Sequence, residues 1–364
     1  MRLAIVAPHF PEYALCYATA MARHGEVLAC VDAGQLAAEY QGRDVPKRQG
    51  CTIRPTRFKT PLDLLRLVRS LRRFRPTVVH FQEAAGPRRG LFNSVAALLL
   101  RRSASVVLTV HDPAPHAGRD REAARRTARM SGHLRRLADV VVVHGARCAG
   151  LYRQAGFGTG QRVVESEHGL ILEPPVPRPP PGGPLHLYFF GRMEAYKGVE
   201  VLLLAVERLH AEGLPLRLSV AGKGPELDRL HDRFQRLPGV RVHRGFVPPA
   251  QVIEGIQDAD CVVLPYLSAT QSGVLAAAFA GRRFVIASAT GGLPDVVEHG
   301  RNGLLVPPGD PAALAGAIRA AAQDLCLRRR LGGGAAATAA GRLDWDRITD
   351  ALADAFAGPC PSRG

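Results

Sequence analysis

The sequence contains no long hydrophobic run and no regular spacing of cysteines. No apolar stretch approaches the roughly 20 residues that a membrane-spanning helix needs, and candidates such as residues 95–100 end in arginines. The seven cysteines lie far apart, form no CxxC pair and have no histidine at zinc-ligand spacing. These absences argue against a membrane-embedded protein, a disulfide scaffold and a structural metal, and they predict a reduced, cytoplasmic protein.

Acidic residues are few relative to basic ones, and the imbalance is local. The net charge is +16, of which residues 1–175 contribute +13. The excess lies in two arginine-rich stretches with helical apolar spacing: Arg66, Arg69, Arg72, Arg73 and Arg75, then Arg119, Arg121, Arg125, Arg126, Arg129, Arg135 and Arg136. They are either solvated helix faces or a surface attracted to an anionic membrane. Nucleic acid is the weaker alternative, because no aromatic platform or known DNA- or RNA-binding pattern accompanies them.

Short β-branched runs alternate with helical stretches along the chain, which is typical of doubly wound parallel sheets. In the first half we predict strands at Leu3–Ala7, Val27–Val31, Val78–Phe81, Val106–Val110 and Val140–His144. We predict helices at Leu15–His24, Leu62–Phe74, Gly90–Arg101 and Glu122–Leu137. The second half repeats the alternation from Leu185 to Leu325. The pattern predicts an α/β protein of two Rossmann-like lobes facing a cleft, which is the expected ligand site.

A proline-rich run separates the two halves. Proline lacks the backbone N–H and fixes φ, so residues 173–184 can form neither a helix nor a central strand. We therefore predict a first lobe over residues 1–172, a linker over 173–184 and a second lobe over 185–343. The amphipathic C-terminal helix and tail, residues 344–364, are expected to pack back on the first lobe.

Polar loops follow four predicted strands of the second half, at residues 191–198, 222–226, 268–273 and 291–295. The carboxyl ends of parallel strands are where α/β folds bind ligands. Arg192 and Lys197 can converge on a diphosphate, and Ser272 precedes a helix whose first N–H groups favour an anion. The loops therefore predict a binding site for a phosphorylated small molecule, most simply a sugar nucleotide.

Two further features narrow the chemistry. The loop at 222–226 is not GxGxxG, because Leu227 occupies the third glycine position, and this argues against a dinucleotide-dependent oxidoreductase. His111 ends a predicted strand of the first half, where it can face either a ligand or solvent.

Several segments, in this order, resemble the retaining glycosyltransferases of the GT-B fold, specifically family 4 of the group 1 glycosyl transferases. They are Gly191-Arg192 with Lys197-Gly198, Gly222-Lys223-Gly224-Pro225-Glu226, the segment Pro265–Ala287, Gly291-Gly292-Leu293-Pro294-Asp295 and Asn302-Gly303-Leu304-Leu305-Val306. Looser matches are Val78-Val79-His80, Thr109-Val110-His111-Asp112 and Trp345-Asp346. The likeness extends over nearly the whole chain and is more specific in the second half.

The resemblance implies transfer of a sugar from a UDP- or GDP-sugar to a polysaccharide, lipid-linked oligosaccharide or glycolipid, with retention of anomeric configuration. The first lobe would face the acceptor and the second would bind the nucleotide sugar, without a metal or other cofactor. The implied catalytic residues are His111, Arg192 and Lys197. The implied phosphate contacts are Arg192, Lys197, Gln271, Ser272, Gly273 and Val274. The implied donor and nucleotide loops contain Gly191, Gly222, Gly224, Glu226, Phe246 and Val247.

The chain departs from the family pattern at two places. Many members carry two glutamates eight residues apart, one contacting the donor sugar and one the ribose, whereas this chain has Ala269 and Ala277 there. We expect Gln271 to supply part of the lost polarity. The first loop, residues 8–13, also lacks the Gly-Gly that many members place near the diphosphate.

These departures keep two other functions open, a non-catalytic sugar-nucleotide-binding partner protein and a GT-B sugar-nucleotide epimerase. The epimerase ranks lower, because no additional carboxylate and histidine set for proton abstraction is evident. We expect a cytoplasmic enzyme, with the basic first lobe on the inner face of the plasma membrane as a separate hypothesis. Nucleic acid is not an expected partner.

Overall fold

The computed structural model describes residues 1–41, 43–84, 86–113, 132–174 and 176–357. These residues divide into two compact units. Met1–Gly169 and the chain from Asp344 form the first unit, and Leu170–Leu343 form the second. Among the described residues, no helix is both long and apolar enough to cross a membrane.

The sheet strands of both units run parallel to their neighbours in the described part of the chain. The first sheet contains β1 (Arg2–Ala7), β2 (Glu26–Asp32), β3 (Cys51–Thr56), β4 (Val78–Gln82), β5 (Ser105–Val110), β6 (Val140–His144) and β7 (Arg162–Ser166), in the order β3-β2-β1-β4-β5-β6-β7. The second contains β8 (Leu185–Arg192), β9 (Leu216–Lys223), β10 (Val240–Arg244), β11 (Cys261–Leu264), β12 (Phe284–Ser288) and β13 (Gly303–Val306), in the order β10-β9-β8-β11-β12-β13.

Helices connect the strands in both units. In the first unit they are α1 (Pro11–Met21), α2 (Ala33–Glu39), α3 (Pro61–Phe74), α4 (Pro87–Leu100), α5 (residues 132–137) and α6 (Gly145–Gln154). In the second they are α7 (Val199–Ala211), α8 (Pro225–Gln235), α9 (Pro249–Asp258), α10 (Gly273–Ala280), α11 (Leu293–Val296), α12 (Pro311–Gln323) and α13 (Leu325–Ala340). The terminal helix α14 (Trp345–Ala357) returns to the first unit.

Burial follows the position of each strand in its sheet. The central strands β4, β6, β11 and β12 are buried at every residue, as expected when helices cover both faces of a parallel sheet. Side chains alternate between the two faces of a strand. Accordingly, Ala4 and Val6 belong to one core of the first unit, and Leu3, Ile5 and Ala7 belong to the other. The second unit has a core of its own.

This architecture agrees with the predicted α/β class of two Rossmann-like, doubly wound parallel sheets. In each unit the chain places its first three strands side by side in one direction. The fourth strand then pairs with the first strand on its other side, and the later strands continue in that opposite direction. The right-handed connections of such sheets place the helices on both faces. The fold is therefore settled by the alternation of strands and helices that the sequence displays.

Two edge strands and four helices, α2, α6, α11 and α13, were absent from the sequence prediction. β3 and β7 are only half-buried, and β3 contains Pro55, so neither forms a continuous apolar run. α2 follows β2 directly, with Asp32 as its N-cap. α13 contains the run Gly332–Gly334, and glycine disfavours a helix by about 1 kcal/mol per residue. The helix predicted at 122–137 lies outside the described residues except for α5.

The proline-rich segment predicted as a linker belongs to the second unit, and the division falls at Gly169–Leu170 instead. Arg283 provides the physical reason. Its side chain is 1% exposed, and the guanidinium donates to five backbone carbonyls, including those of Arg178 and Pro179. The other three acceptors are Ile256, Gln257 and Gly281. A segment without regular structure is thereby fixed to the second unit.

The terminal helix α14 packs against α1 within the first unit. The indole of Trp345 meets the Tyr13 ring edge-on at 5.1 Å between centroids. Arg162 Nη1 donates to the Ala355 carbonyl at 2.9 Å. A Cβ on Gly169 would lie 2.3 Å from Trp345 Cε2, so a glycine is needed where the chain leaves the unit.

We expect Arg283→Met to destabilise the protein by about 3 kcal/mol, because it leaves several buried carbonyls without a donor. Urea denaturation measures the loss, and hydrogen exchange should rise across residues 176–184. Arg282→Met is the matched control, because Arg282 is the exposed neighbour and should change stability by less than about 0.5 kcal/mol. Equal stability of the two variants would contradict the role assigned to Arg283.

Candidate functional site

The strand order of the second sheet reverses between β8 and β11. The chain builds β8, β9 and β10 toward one side and β11, β12 and β13 toward the other. At such a switch point the loops after the two central strands diverge and leave a crevice, which is where open α/β sheets bind ligands. Arg192 ends β8 and Lys197 follows it, while Gln271 and Ser272 lie between β11 and α10.

Glycines allow the loops at this edge to approach each other closely. Gly198 has φ +68°, and a Cβ there would lie 1.8 Å from the Pro265 carbonyl oxygen. Gly222 is equally restricted, because its Cβ would lie 2.0 Å from the Gly191 carbonyl oxygen. A side chain at Gly198 would force the loop after β8 away from the loop after β11, and one at Gly222 would push β9 away from β8.

Arg192 and Lys197 each contact a tyrosine. Arg192 Nη2 donates to the Tyr196 hydroxyl at 3.1 Å. Lys197 Nζ lies 3.8 Å from the centroid of the Tyr266 ring and 5.2 Å from that of Tyr196. Both cations predicted from the sequence therefore contact Tyr196. Arg192 ends β8, and Lys197 lies with Tyr196 in a 3-10 helical turn over Ala195–Lys197.

The N-terminus of α10 supplies backbone donors to the same edge. Ser272 is the N-cap, and its Oγ accepts from Leu275 N at 3.3 Å. The N–H groups of Gly273 and Val274 have no carbonyl one turn earlier in the helix. Together with the positive end of the helix dipole, they provide a place for an anion.

Gln271 brings an unsatisfied polar group to this loop. Its Oε1 is buried and meets no hydrogen-bond donor among the described residues. Ala269 and Ala277, where the family often has glutamates, are buried, and a Cβ on Gly291 would lie 1.8 Å from the Ala269 carbonyl oxygen. A buried acceptor without a donor costs free energy, and a sugar hydroxyl would satisfy it.

The loops after β9 and β10 contain the other residues predicted to bind the donor. The Glu226 N–H donates to the Met193 carbonyl at 3.1 Å. This approach requires a glycine at position 224, because a Cβ on Gly224 would lie 2.5 Å from the Met193 carbonyl oxygen. The Glu226 carboxylate pairs with Arg229 at 2.7 Å. Phe246 is 59% exposed, and Val247 packs against the core. An exposed phenyl ring at the carboxyl edge offers a stacking surface for a planar base.

His111 lies in the first unit, at the carboxyl end of β5, within a cluster of buried aromatic and imidazole rings. Its Nε2 lies 2.9 Å from Gln82 Oε1, and its Nδ1 lies 3.2 Å from His144 Nε2. The Tyr13 ring meets it edge-on at 4.9 Å between centroids. Because Gln82 Oε1 can only accept, His111 carries its proton on Nε2, and both of its ring nitrogens already have partners.

The histidines of this cluster are held neutral. Burial lowers the pKa of His111 to about 3 and that of His168 to about 4. Burial also lowers the pKa of His80 to about 3, and that of His144 lies well below its ordinary value for the same reason. Neighbouring histidines add to the effect on His80, His111 and His144, because each disfavours a second positive charge.

The sequence did not reveal the aromatic partners of the site. Tyr196 lies inside the loop at 191–198 and Tyr266 two residues before the loop at 268–273, but nothing in their spacing indicates that they contact Arg192 and Lys197. The partners of His111 were also missed, because Gln82 and His144 come from β4 and β6. In the described part of the chain, no group of three or more His, Cys, Asp or Glu side chains could hold a metal ion.

Two Rossmann-like units in one chain, with a candidate anion site at the switch point of the second, are the arrangement of the GT-B class of fold. Residues 13–164 match the family model for Glycosyltransferase Family 4, and residues 184–324 match the model for Glycosyl transferases group 1. The chain belongs to these family 4-like glycosyltransferases.

Named relatives agree with this assignment. A glycogen synthase of Mycobacterium tuberculosis is 28% identical over 205 residues, which are 55% of this chain and 50% of the relative. A D-inositol 3-phosphate glycosyltransferase of Xylanimonas cellulosilytica is 35% identical over 202 residues, 55% of this chain and 46% of the relative. The chain thus spans about half the length of the curated relatives it matches. The crystal structure of Anabaena HepE in complex with UDP-glucose has a TM-score of 0.73 at 18% identity, covering 98% of this chain and 99% of that one.

We expect the buried histidines to make the protein acid-sensitive. Their pKa values are lower in the folded than in the unfolded chain, so the unfolded chain binds more protons between about pH 6.5 and pH 4. Stability is then fully present above about pH 6.5 and falls as the pH decreases. The slope approaches about 1.4 kcal/mol per pH unit for each histidine.

Replacing one buried histidine isolates the effect. His80→Gln should reduce the slope of unfolding free energy against pH by about one proton equivalent between pH 6 and pH 5, measured by urea denaturation. His133→Gln is the control at an exposed histidine and should leave the slope unchanged. The same slope in wild type and His80→Gln would refute the assignment.

Proposed function

We propose that this protein transfers a sugar from a UDP-sugar to a glycan or lipid-linked acceptor with retention of anomeric configuration. The observation that carries the proposal is the grouping of Arg192, Lys197 and the N-terminus of α10 at the switch point of the second sheet. Two cations and free helix N–H groups suit a diphosphate. The family membership supports the reaction type, and the HepE complex with UDP-glucose makes uridine the first base to test.

Arg192 and Lys197 would stabilise the departing diphosphate. In the proposed step, the bond between the anomeric carbon and the phosphate oxygen breaks, and the acceptor oxygen bonds to the same face of that carbon. The acceptor proton passes to the departing phosphate. Charge develops on the phosphate in the transition state, where preorganised cations and N–H donors are most effective. We also propose that no metal takes part.

The polar groups around the transferred sugar would be few. Gln271 Oε1, buried and without a donor among the described residues, is the proposed acceptor for a sugar hydroxyl. His111 remains the proposed contact from the first unit. Because both of its nitrogens have partners, it would need to exchange one of them for the sugar. Phe246 is the proposed platform for the base.

We expect UDP to raise the thermal stability of the wild-type protein, because a ligand that binds only the folded state stabilises it by about 2.7 kcal/mol at a hundredfold excess over Kd. Arg192→Ala and Lys197→Ala should each weaken UDP binding roughly 10- to 100-fold, the usual effect of losing a charge-assisted hydrogen bond. Differential scanning fluorimetry and calorimetry against UDP, GDP and ADP measure both effects.

Arg236→Ala and Lys47→Ala are matched controls, because both side chains are exposed and lie outside the site. UDP affinity unchanged in Arg192→Ala and Lys197→Ala would contradict the phosphate site. Turnover with a UDP-sugar and a glycan acceptor is then followed with and without EDTA, and NMR gives the configuration of the product. Binding without turnover would favour the non-catalytic partner protein, which the alanines at positions 269 and 277 already suggest.

We further propose that the protein works on an anionic membrane surface, where a lipid-linked acceptor would lie. α3 exposes a stripe, here called the basic stripe, of Leu62, Leu65, Arg66, Arg69 and Arg73. Leu62 is 53% and Leu65 63% exposed. The spacing i, i+3, i+4, i+7 and i+11 places these residues on one helix face. Leucines and arginines together suit the boundary of a bilayer with anionic headgroups.

We expect the wild-type protein to float with liposomes that contain phosphatidylglycerol and not with neutral ones. The triple variant Arg66→Gln, Arg69→Gln and Arg73→Gln should lower the partition coefficient roughly 100- to 1,000-fold, at about 1 kcal/mol per basic residue. The control triple Arg236→Gln, Arg241→Gln and Arg301→Gln removes three exposed arginines of the second unit. Flotation independent of anionic lipid would refute the membrane proposal.

A further inference from the structure

Tyr266 joins the two halves of the candidate phosphate site. It lies two residues after β11, and its side chain is 1% exposed. The ring face meets Lys197 Nζ at 3.8 Å from the centroid, while the hydroxyl oxygen lies 3.5 Å from Ser272 Oγ. One buried side chain thus contacts both the cation from the β8 loop and the N-cap of α10.

The geometry at Lys197 is that of a strong cation–π pair. An ammonium within about 6 Å of an aromatic centroid is attracted by the ring quadrupole, and the attraction grows as water is removed. Lysine otherwise loses much rotamer freedom when it binds a ligand. An ammonium already held over a ring has lost that freedom before the ligand arrives, which favours binding.

The backbone brings Lys197 to this ring. Gly198 has the left-handed conformation, and its missing side chain lets the turn lie against Pro265. Leu267 N donates to the Tyr196 carbonyl at 2.8 Å, which fastens the turn to the loop that carries Tyr266. The contact between Lys197 and Tyr266 is therefore built into two loops that are bonded to each other.

Tyr266 remains a neutral phenol at this position. Burial raises its pKa well above the ordinary value, although the Ser272 hydroxyl and the nearby Arg192 guanidinium act in the opposite direction. The ring therefore offers Lys197 an aromatic face and no negative charge.

We propose that Tyr266 is a positioning residue that holds Lys197 beside the N-terminus of α10 as one preformed anion site. The proposal rests on the proposed function for the identity of the anion, a nucleoside diphosphate. Its structural content, a lysine ammonium held on the Tyr266 face, does not depend on any ligand. It predicts that removing the ring face disturbs Lys197, whereas removing only the hydroxyl does not.

The chain has only four lysines, Lys47, Lys59, Lys197 and Lys223, which makes a direct test practical. Protein labelled with carbon-13 lysine should show four ε-methylene signals by NMR. Ring current should displace the Lys197 signal upfield of the other three, and Lys197→Arg assigns it. The displacement should persist in Tyr266→Phe and disappear in Tyr266→Leu. A Lys197 signal without displacement in the wild type would overturn the proposal, whether or not the Tyr266 variants fold.

The functional consequence is measured with UDP and inorganic pyrophosphate. Tyr266→Leu should weaken both roughly tenfold, whereas Tyr266→Phe should remain within about twofold of wild type. In a Lys197→Ala background, Tyr266→Leu should have no further effect, because the two residues act through one contact. Additive losses in the double variant would mean that Tyr266 acts through general stability, and would overturn the positioning role.

The two proposals fail separately. If the wild type shows the displaced Lys197 signal but binds no nucleoside diphosphate and no pyrophosphate, the proposed function fails while the contact between Tyr266 and Lys197 stands. If UDP binds and Lys197→Ala weakens it, but the Lys197 signal is not displaced, the proposed function stands and Tyr266 has no positioning role.

Discussion

Gly198 and Gly222 lie where two backbone segments are too close together for either residue to carry a side chain. A Cβ at either position would lie about 2 Å from a backbone oxygen of the adjacent segment. The turn that carries Lys197 can therefore lie directly on the loop between β11 and α10. The remaining features of the candidate site, two cations beside a helix N-terminus, depend on this close packing of backbone at one edge of a parallel sheet.

The two cations of the candidate site each contact a tyrosine side chain. Arg192 donates to the Tyr196 hydroxyl, and Lys197 lies on the Tyr266 ring. Both contacts are made by aromatic side chains, and they restrict the rotamers of the two cations before a ligand binds. On α8, Arg229 pairs with Glu226 of the same helix and with Glu200 of α7, and Arg233 pairs with Glu200 and Glu207 of α7.

The first unit uses a different principle. A network of buried imidazoles, hydroxyls and amides lies towards the carboxyl edge of its sheet, and burial keeps the imidazoles neutral. Such a network adds hydrogen-bonding capacity without adding net charge. The strong positive charge of this half lies instead on helix surfaces such as α3.

The sequence by itself determined the fold class and the position of the glycine-bearing loops, because alternating apolar runs and glycine-bearing turns are local patterns. It also placed Arg192 and His111 at strand ends and Ser272 at the start of a helix correctly. It missed the edge strands β3 and β7, whose half-exposed residues form no apolar run, and it took the proline-rich segment for a linker. Only the tertiary structure decided that segment's place, because Arg283 is 105 and 104 residues away in sequence from Arg178 and Pro179, whose carbonyls it bonds. The same holds for Tyr266 on Lys197 and for His144 on His111, since residues that follow different strands become neighbours only when the sheet forms.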